Sequence, residues 1–153
     1  MMRTKGHWTV GRILEVALLI ALPILLHRLF PVMIVVPEPY TYLGIVLMLV
    51  GLGLATWAST LFRKAGTSFQ LHGESSVLVT SGLYRFSRNP MYLGMLIWLI
   101  GLAVLLGSLI AFLFPILFFL AVNFYIVPLE EESMERLYGA QFTEYKQRVR
   151  RWL

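Results

Sequence analysis

The chain has 153 residues, 58% of them hydrophobic, with 13 basic and 8 acidic side chains and a formal net charge of +5. A soluble domain carries nearer a quarter charged residues and must still leave close to a third of its unfolded surface in water; 14% charge and a mean hydropathy of +0.75 exclude such a globule, and exclude disorder, collagen and a coiled coil with it. Without cysteine there is no disulfide framework, thiolate metal site or cysteine nucleophile, which leaves one small all-α integral membrane domain over residues 1–153.

A crossing needs about 20 mostly apolar residues. Residues 10–30 supply the first, with Pro23 inside it predicting a kink. The run is too long for a cleavable signal peptide, and no small-residue cleavage site follows. Residues 31–39 hold three prolines and read as an interfacial connection. The second crossing covers about residues 40–62 and stops at Arg63-Lys64; residues 63–90 are polar and turn-rich. The third starts at Pro90 and ends near residue 106, Gly107-Ser108 makes a tight turn, and the fourth covers about 109–129.

The remaining residues, 130–151, predict a C-terminal amphipathic helix. Its apolar stripe runs through Met134, Tyr138, Phe142, Tyr145, Val149 and Trp152 in steps of three and four. Such a helix lies on the membrane or folds over the crossings, and Gly139 at its middle predicts a bend or a close approach. The prediction is therefore four transmembrane helices plus this last helix. Twelve of the 13 basic residues fall on the side of the termini and the 63–90 loop, with Arg28 alone opposite. The positive-inside rule then places both termini in the cytoplasm and the chain in the cytoplasmic (inner) membrane, multi-pass. Membrane phospholipids suffice as the partner of this charge, with no nucleic acid needed.

The turn at Gly107-Ser108 makes the third and fourth crossings an antiparallel hairpin. Arg88-Asn89-Pro90-Met91-Tyr92 should then lie beside Glu130-Glu131-Glu132, some 40 residues away. Each group has a structural explanation. Asn89-Pro90 suits a helix start, with Asn as N-cap and Pro in the first turn. Tyr92 suits an interfacial belt, Arg88 a cytoplasmic anchor, and the three glutamates the amino-end dipole of the last helix. His7, His27 and His72 are scattered, so no metal site is expected.

Taken together, the string LVTSGLYRFSRNPMYLG, a Glu pair about 40 residues on and a YGxxFxxYxxxVxRW tail resemble the isoprenylcysteine carboxyl methyltransferase and phospholipid methyltransferase superfamily, in the form of its small prokaryotic members. The likeness covers about residues 63–153, with the run AGT at residues 65–67 also fitting. It implies an integral-membrane methyltransferase with S-adenosyl-L-methionine as cofactor and a lipid or other hydrophobic small molecule as acceptor. It also implies that Val77, Leu78, Val79, Tyr84, Asn89, Tyr92 and Glu130 line the cofactor site. Arg88 and Glu131 are the implied catalytic residues: Arg88 pairs with the cofactor carboxylate or a lipid phosphate, and Glu131 shares with Glu130 the cofactor's ammonium or ribose hydroxyls. Either glutamate is a candidate to take a proton from an amine acceptor.

Two departures from the family pattern bear on the substrate. Asn89 stands where the family has His, and an amide cannot titrate as a general base. Ile126 stands where the carboxyl methyltransferases carry a substrate-contacting Arg, which favours a phospholipid amine over a prenylcysteine carboxylate. The alternatives are prenylcysteine-type carboxyl methylation, a nicotinamide-dependent membrane reductase (the sterol reductases share a distantly similar C-terminal region on much longer chains) and a non-catalytic membrane scaffold.

Overall fold

The computed structural model describes residues 5–30, 32–64 and 78–153, with side chains of the first helix from residue 17 onward. The elements are α1 (Lys5–Leu29), α2 (Leu43–Lys64), α3 (Pro90–Leu106), α4 (Leu109–Ala121), α5 (Val127–Tyr138) and α6 (Ala140–Arg148). Among the described residues there is no β-strand, only an isolated bridge between Ile34 and Ser108. Helix α1 runs unbroken in its hydrogen-bonded range through the buried Pro23.

Helices α2 and α3 form the most intimate pair. Gly44 and Gly51 on α2 face Gly101 and Gly94 on α3, each pair seven residues apart and so on one helix face. A Cβ added at Gly51 would lie 2.5 Å from the Gly94 carbonyl oxygen and from the Trp98 nitrogen. In lipid no hydrophobic gain drives helices together, so close van der Waals approach of this kind does it instead. Gly51→Leu is accordingly expected to force α2 off α3 and to lower the thermal midpoint in detergent, by about 1–3 kcal/mol of stability if the helices re-pack. Gly53, whose added Cβ meets nothing within 4 Å, should accept Ala without loss. The opposite side of α2 exposes Ile45, Val46, Leu49, Val50, Leu52 and Trp57, a contiguous apolar surface that suits lipid and not water.

The hairpin turn forms where the sequence predicts it. Gly107 caps α3 in the left-handed region at φ 69°, a conformation other residues rarely adopt. The proline-bearing connection docks on this turn. Val35 and Val36 N–H donate to Gly107 O at 2.8 and 3.1 Å, and Leu109 N–H donates to Met33 O at 3.0 Å. His27 Nδ1 and the fully buried Ser108 Oγ lie 2.9 Å apart, tying the end of α1 to the same turn.

Two predicted boundaries shift. Tyr40–Lys64 and Leu109–Tyr138 are long and apolar enough to cross a membrane, whereas Ala17–Leu29 and Pro90–Leu106 are shorter apolar helices. The helix that carries the fourth apolar run does not end with that run near residue 129: it passes through a wide turn at Val122–Ile126 straight into α5, which ends at Tyr138. A proline inside a regular helix removes a hydrogen bond and clashes with the preceding turn; the widened turn just before Pro128 relieves both, so the helix continues. The predicted single helix over 130–151 is instead α5 and α6, broken at Gly139 (φ 51°) and followed from Val149 by a non-helical tail. An added Cβ at Gly139 would meet nothing within 4 Å, so the glycine serves a bend and not a close approach. The apolar stripe faces inward. Phe142 and Tyr145 are buried, and Met134, Tyr138, Val149 and Trp152 are half-buried, which folds this segment over the helices instead of laying it on the bilayer.

Candidate active site

The two blocks that the sequence sets 40 residues apart meet at the start of α3 and in the first turn of α5. Pro90 occupies the first turn of α3, where its missing N–H costs nothing, and Tyr92 follows it into a core of Leu99, Phe118, Val122 and Val127. The Tyr92 hydroxyl donates to Glu130 Oε1 at 2.7 Å. One residue on, Glu131 gathers cations. Arg88 Nη1 lies 2.7 Å from its Oε1, Arg151 Nη2 donates to its Oε2 at 2.8 Å and Nε to its Oε1 at 3.2 Å, and Lys146 Nζ stands 3.9 Å from Oε2.

Arg88 is the least satisfied member. Its side chain is 12% exposed, and its buried Nε and Nη1 have no hydrogen-bond acceptor among the described residues. The Nη1–Oε1 distance is that of an ion pair, but the contact misses the hydrogen-bond direction. A buried guanidinium with unmet N–H groups is costly, and an anionic ligand of matching shape would relieve it.

The residues that precede Arg88 in the same string stand beside this cluster. Val79 and Tyr84 pack with Ala58 and Phe62, the Tyr84 ring edge-on to Phe62 at 5.0 Å. The Tyr145 hydroxyl donates to Tyr84 O at 2.7 Å and so brings α6 onto the segment before α3. Burial, then the neighbouring Tyr145 and Glu130, raises the Tyr84 phenol well above its ordinary range. Burial likewise pushes Tyr145 up from 10.0 to about 12, with Arg88 pulling weakly the other way. Both hydroxyls therefore remain neutral donors at neutral pH.

A phenol whose folded pKa lies above its unfolded value adds stability below the unfolded pKa and loses it as pH climbs towards the folded one. Unfolding stability should therefore fall from pH 10.0 to about 12, and Tyr145→Phe should flatten that fall. Thermal melts at stepped pH, wild type against variant, check it.

Of the predicted site residues, Arg88, Tyr92, Glu130 and Glu131 come together as described, and Tyr84 stands against the same wall. Leu78 is half-buried at the edge, Val79 is packed into the apolar cluster, and Val77 lies outside the described residues. Asn89 differs from its N-cap reading. Its side chain makes no cap bond, and Nδ2 instead donates to Arg151 O at 3.1 Å. Ile126 sits half-buried against the Tyr92 core.

Four residues join this cluster that the sequence does not place in the site: Asn123, and Tyr145, Arg151 and Trp152, which read there only as part of the amphipathic tail. Trp152 Nε1 donates to Asn123 Oδ1 at 2.9 Å, and Arg151 Nη1 donates to Asn123 O at 3.2 Å. Asn123 carried a usable signal, since a polar residue inside an apolar membrane helix is a functional candidate by default.

Fold and site define an all-helical membrane protein with a charged, partly buried cluster where α3 and α5 begin. The model of the phospholipid methyltransferase family matches residues 39–141, and the chain belongs to that family. Protein-S-isoprenylcysteine O-methyltransferase B of Arabidopsis thaliana is 40% identical over 79 residues, covering 50% of this chain and 39% of that protein. Protein-S-isoprenylcysteine O-methyltransferase of Saccharomyces cerevisiae is 35% identical over 117 residues, covering 71% of this chain and 46% of that protein. The chain thus spans less than half the length of either. The solved structure of the eukaryotic intramembrane Ras methyltransferase, an isoprenylcysteine carboxyl methyltransferase, aligns at a TM-score of 0.63 with 21% identity, over 97% of this chain and 52% of that one. That likeness is one of fold.

Proposed function

We propose that the protein transfers a methyl group from S-adenosyl-L-methionine to a lipophilic acceptor at the membrane face. The observation that carries this reading is that two opposite recognition elements belong to one cluster: Arg88, which contacts Glu131, and Glu130, the residue before it. Arg88 offers buried Nε and Nη1 groups that no described residue meets in hydrogen-bond geometry, although Nη1 lies 2.7 Å from Glu131 Oε1, and Glu130 carries a carboxylate oriented by Tyr92 at 2.7 Å. An amino-acid zwitterion, carboxylate and ammonium on one carbon, is the complement of such a pair, so the residues fit the methionine end of this cofactor.

When bound, the cofactor supplies an electrophilic methyl on a sulfonium. The chain's own residues then bind and orient. Arg88 would take the carboxylate and Glu130 the ammonium. Tyr84 and Tyr92 would give ring faces, and Leu78 and Val79, with Val77, backbone groups. Glu131 has both oxygens engaged by arginines, so of the two glutamates that are candidates to take a proton we read it as the anchor of the cluster. Fixing the donor and acceptor in line is the main catalytic device, because effective molarities for aligned groups are large.

The names of the curated relatives make a prenylcysteine carboxylate the first acceptor class to test. The phospholipid amine is the second reading, favoured by Ile126, which puts an apolar side chain and no cation against the Tyr92 core. Titration calorimetry in detergent should detect binding of S-adenosylhomocysteine and none of NADPH. NADPH binding, or binding of neither, would remove the methyltransferase reading. Radiolabelled methyl transfer to a farnesylated cysteine thioether and to phosphatidylethanolamine in vesicles then separates the two acceptors.

We read the chain as crossing the cytoplasmic (inner) membrane four times with both termini in the cytoplasm, on the distribution of basic residues. The lack of cysteine makes this simple to map with single introduced thiols. Arg28→Cys should react with an impermeant reagent from outside intact cells and Leu153→Cys only after lysis; the reverse would invert the topology.

A further inference from the structure

We infer that Arg151 is a positioning residue of the site: it restrains Glu131 so that the N–H groups of Arg88 stay available to a ligand carboxylate. The inference rests on the methyl-transfer reading above and extends it to a residue of the C-terminal tail.

The tail is built into the site through its backbone. After α6 it runs without helix past the start of α3. There Arg150 O accepts from Arg88 N–H at 3.0 Å, and Arg151 O accepts from Ser87 Oγ at 3.3 Å and Asn89 Nδ2 at 3.1 Å. The Arg151 side chain is thereby delivered between α3 and α5. Its guanidinium grips both oxygens of Glu131, at 3.2 and 2.8 Å, and holds Asn123 O at 3.2 Å. Asn123 lies in the wide turn at Val122–Ile126, where altered hydrogen-bond spacing makes a backbone carbonyl available to a side-chain donor. Trp152 fastens the same point by its bond to Asn123 Oδ1 and by packing its ring 5.2 Å from that of Phe119.

The consequence concerns Arg88. Arginine and carboxylate prefer a two-pronged pairing, and Glu131 already sits 2.7 Å from Arg88 Nη1. What keeps Glu131 from turning to face Arg88 squarely is the competing two-pronged grip of Arg151. With Arg151 removed, Glu131 is expected to swing over and fill the Arg88 N–H groups itself. The fold would survive, and the ligand site would be blocked by its own carboxylate.

Arg151→Gln should therefore weaken S-adenosylhomocysteine binding by roughly tenfold to a hundredfold, the scale of loss expected when a hydrogen bond between charged groups, here Arg88 to the ligand carboxylate, is given up. Adding Glu131→Gln should restore part of that affinity, because a neutral amide competes poorly for Arg88. A tail that merely tied the structure together would instead give losses that add. Arg151→Lys keeps the charge without the two-pronged grip and should fall between; it carries the same test if the Gln variant does not fold in detergent. Arg148→Gln, at an exposed pair with Glu144, serves as the control for general loss of tail charge. Wild-type affinity in Arg151→Gln, or additive losses in the double variant, overturns this inference alone. Failure of the wild-type chain to bind S-adenosylhomocysteine overturns the methyl-transfer reading and this inference with it.

Discussion

Glu131→Ala is expected to destabilise the protein by about 3 kcal/mol, while Glu132→Ala, the next residue, should change stability by about 0–1 kcal/mol. The two carboxylates are alike in sequence and unlike in surroundings. Glu131 is 12% exposed and neutralises Arg88, Arg151 and Lys146 at once. Removing one member of a buried ion cluster leaves charges out of water without a partner, which costs far more than the pair's net worth. The estimate sits at the low end of that range because Arg151 and Lys146 each keep 32% exposure and can turn to solvent. Glu132 meets only Arg136 among the described ion pairs, at 3.8 Å with both side chains more than half exposed, a contact that solvent screens. Thermal unfolding of both variants in detergent is the measurement. Equal midpoints for the two would mean that the cluster around Glu131 contributes nothing to holding α5 against α3.

Much of this was readable from residue order, and the reasons are local. Gly107-Ser108 and Pro90 are backbone devices whose geometry follows from the residue itself, so the hairpin and the start of α3 appear where they were predicted. Once the hairpin is granted, Tyr92 and Glu130 must be neighbours. The tail was less legible because its meaning is long-range. Arg148, Arg150 and Arg151 look alike as a basic cluster. Yet Arg148 pairs with Glu144 in solvent while Arg151 reaches a carboxylate 20 residues back and a carbonyl 28 residues back. Asn89 misled for a related reason: an N-cap side chain and a long-range donor are the same amide, and the nearby Arg151 carbonyl won. That the last apolar helix and the polar segment after residue 129 form one continuous run was not legible, because the change from apolar to Glu-rich sequence reads as a break and only the widened turn before Pro128 shows how the helix carries on.

Glu130→Gln should lower cofactor affinity by roughly tenfold to a hundredfold and leave the melting temperature near wild type, whereas Tyr92→Phe should lower it by only about fivefold. The amide of Gln keeps the shape of Glu130 and can still accept from the Tyr92 hydroxyl, so the structural bond at 2.7 Å has a substitute. What is lost is the negative charge. A hydrogen bond to a charged partner contributes about 1.5–3 kcal/mol, against about 1 kcal/mol for a neutral one, and an ammonium seated on Glu130 would fall in the first class. Tyr92→Phe removes the donor that aims the carboxylate and leaves the charge in place; the ring keeps its buried packing against Leu99 and Val127. The order of the two effects is therefore the informative quantity. If Tyr92→Phe costs more affinity than Glu130→Gln, then Glu130 recognises its ligand by shape and hydrogen bonding alone, and the assignment of a cationic amino group to this position is wrong. If both bind as wild type while the protein still methylates its acceptor, the zwitterion is held elsewhere, and the orphaned N–H groups of Arg88 would need another anion to explain them.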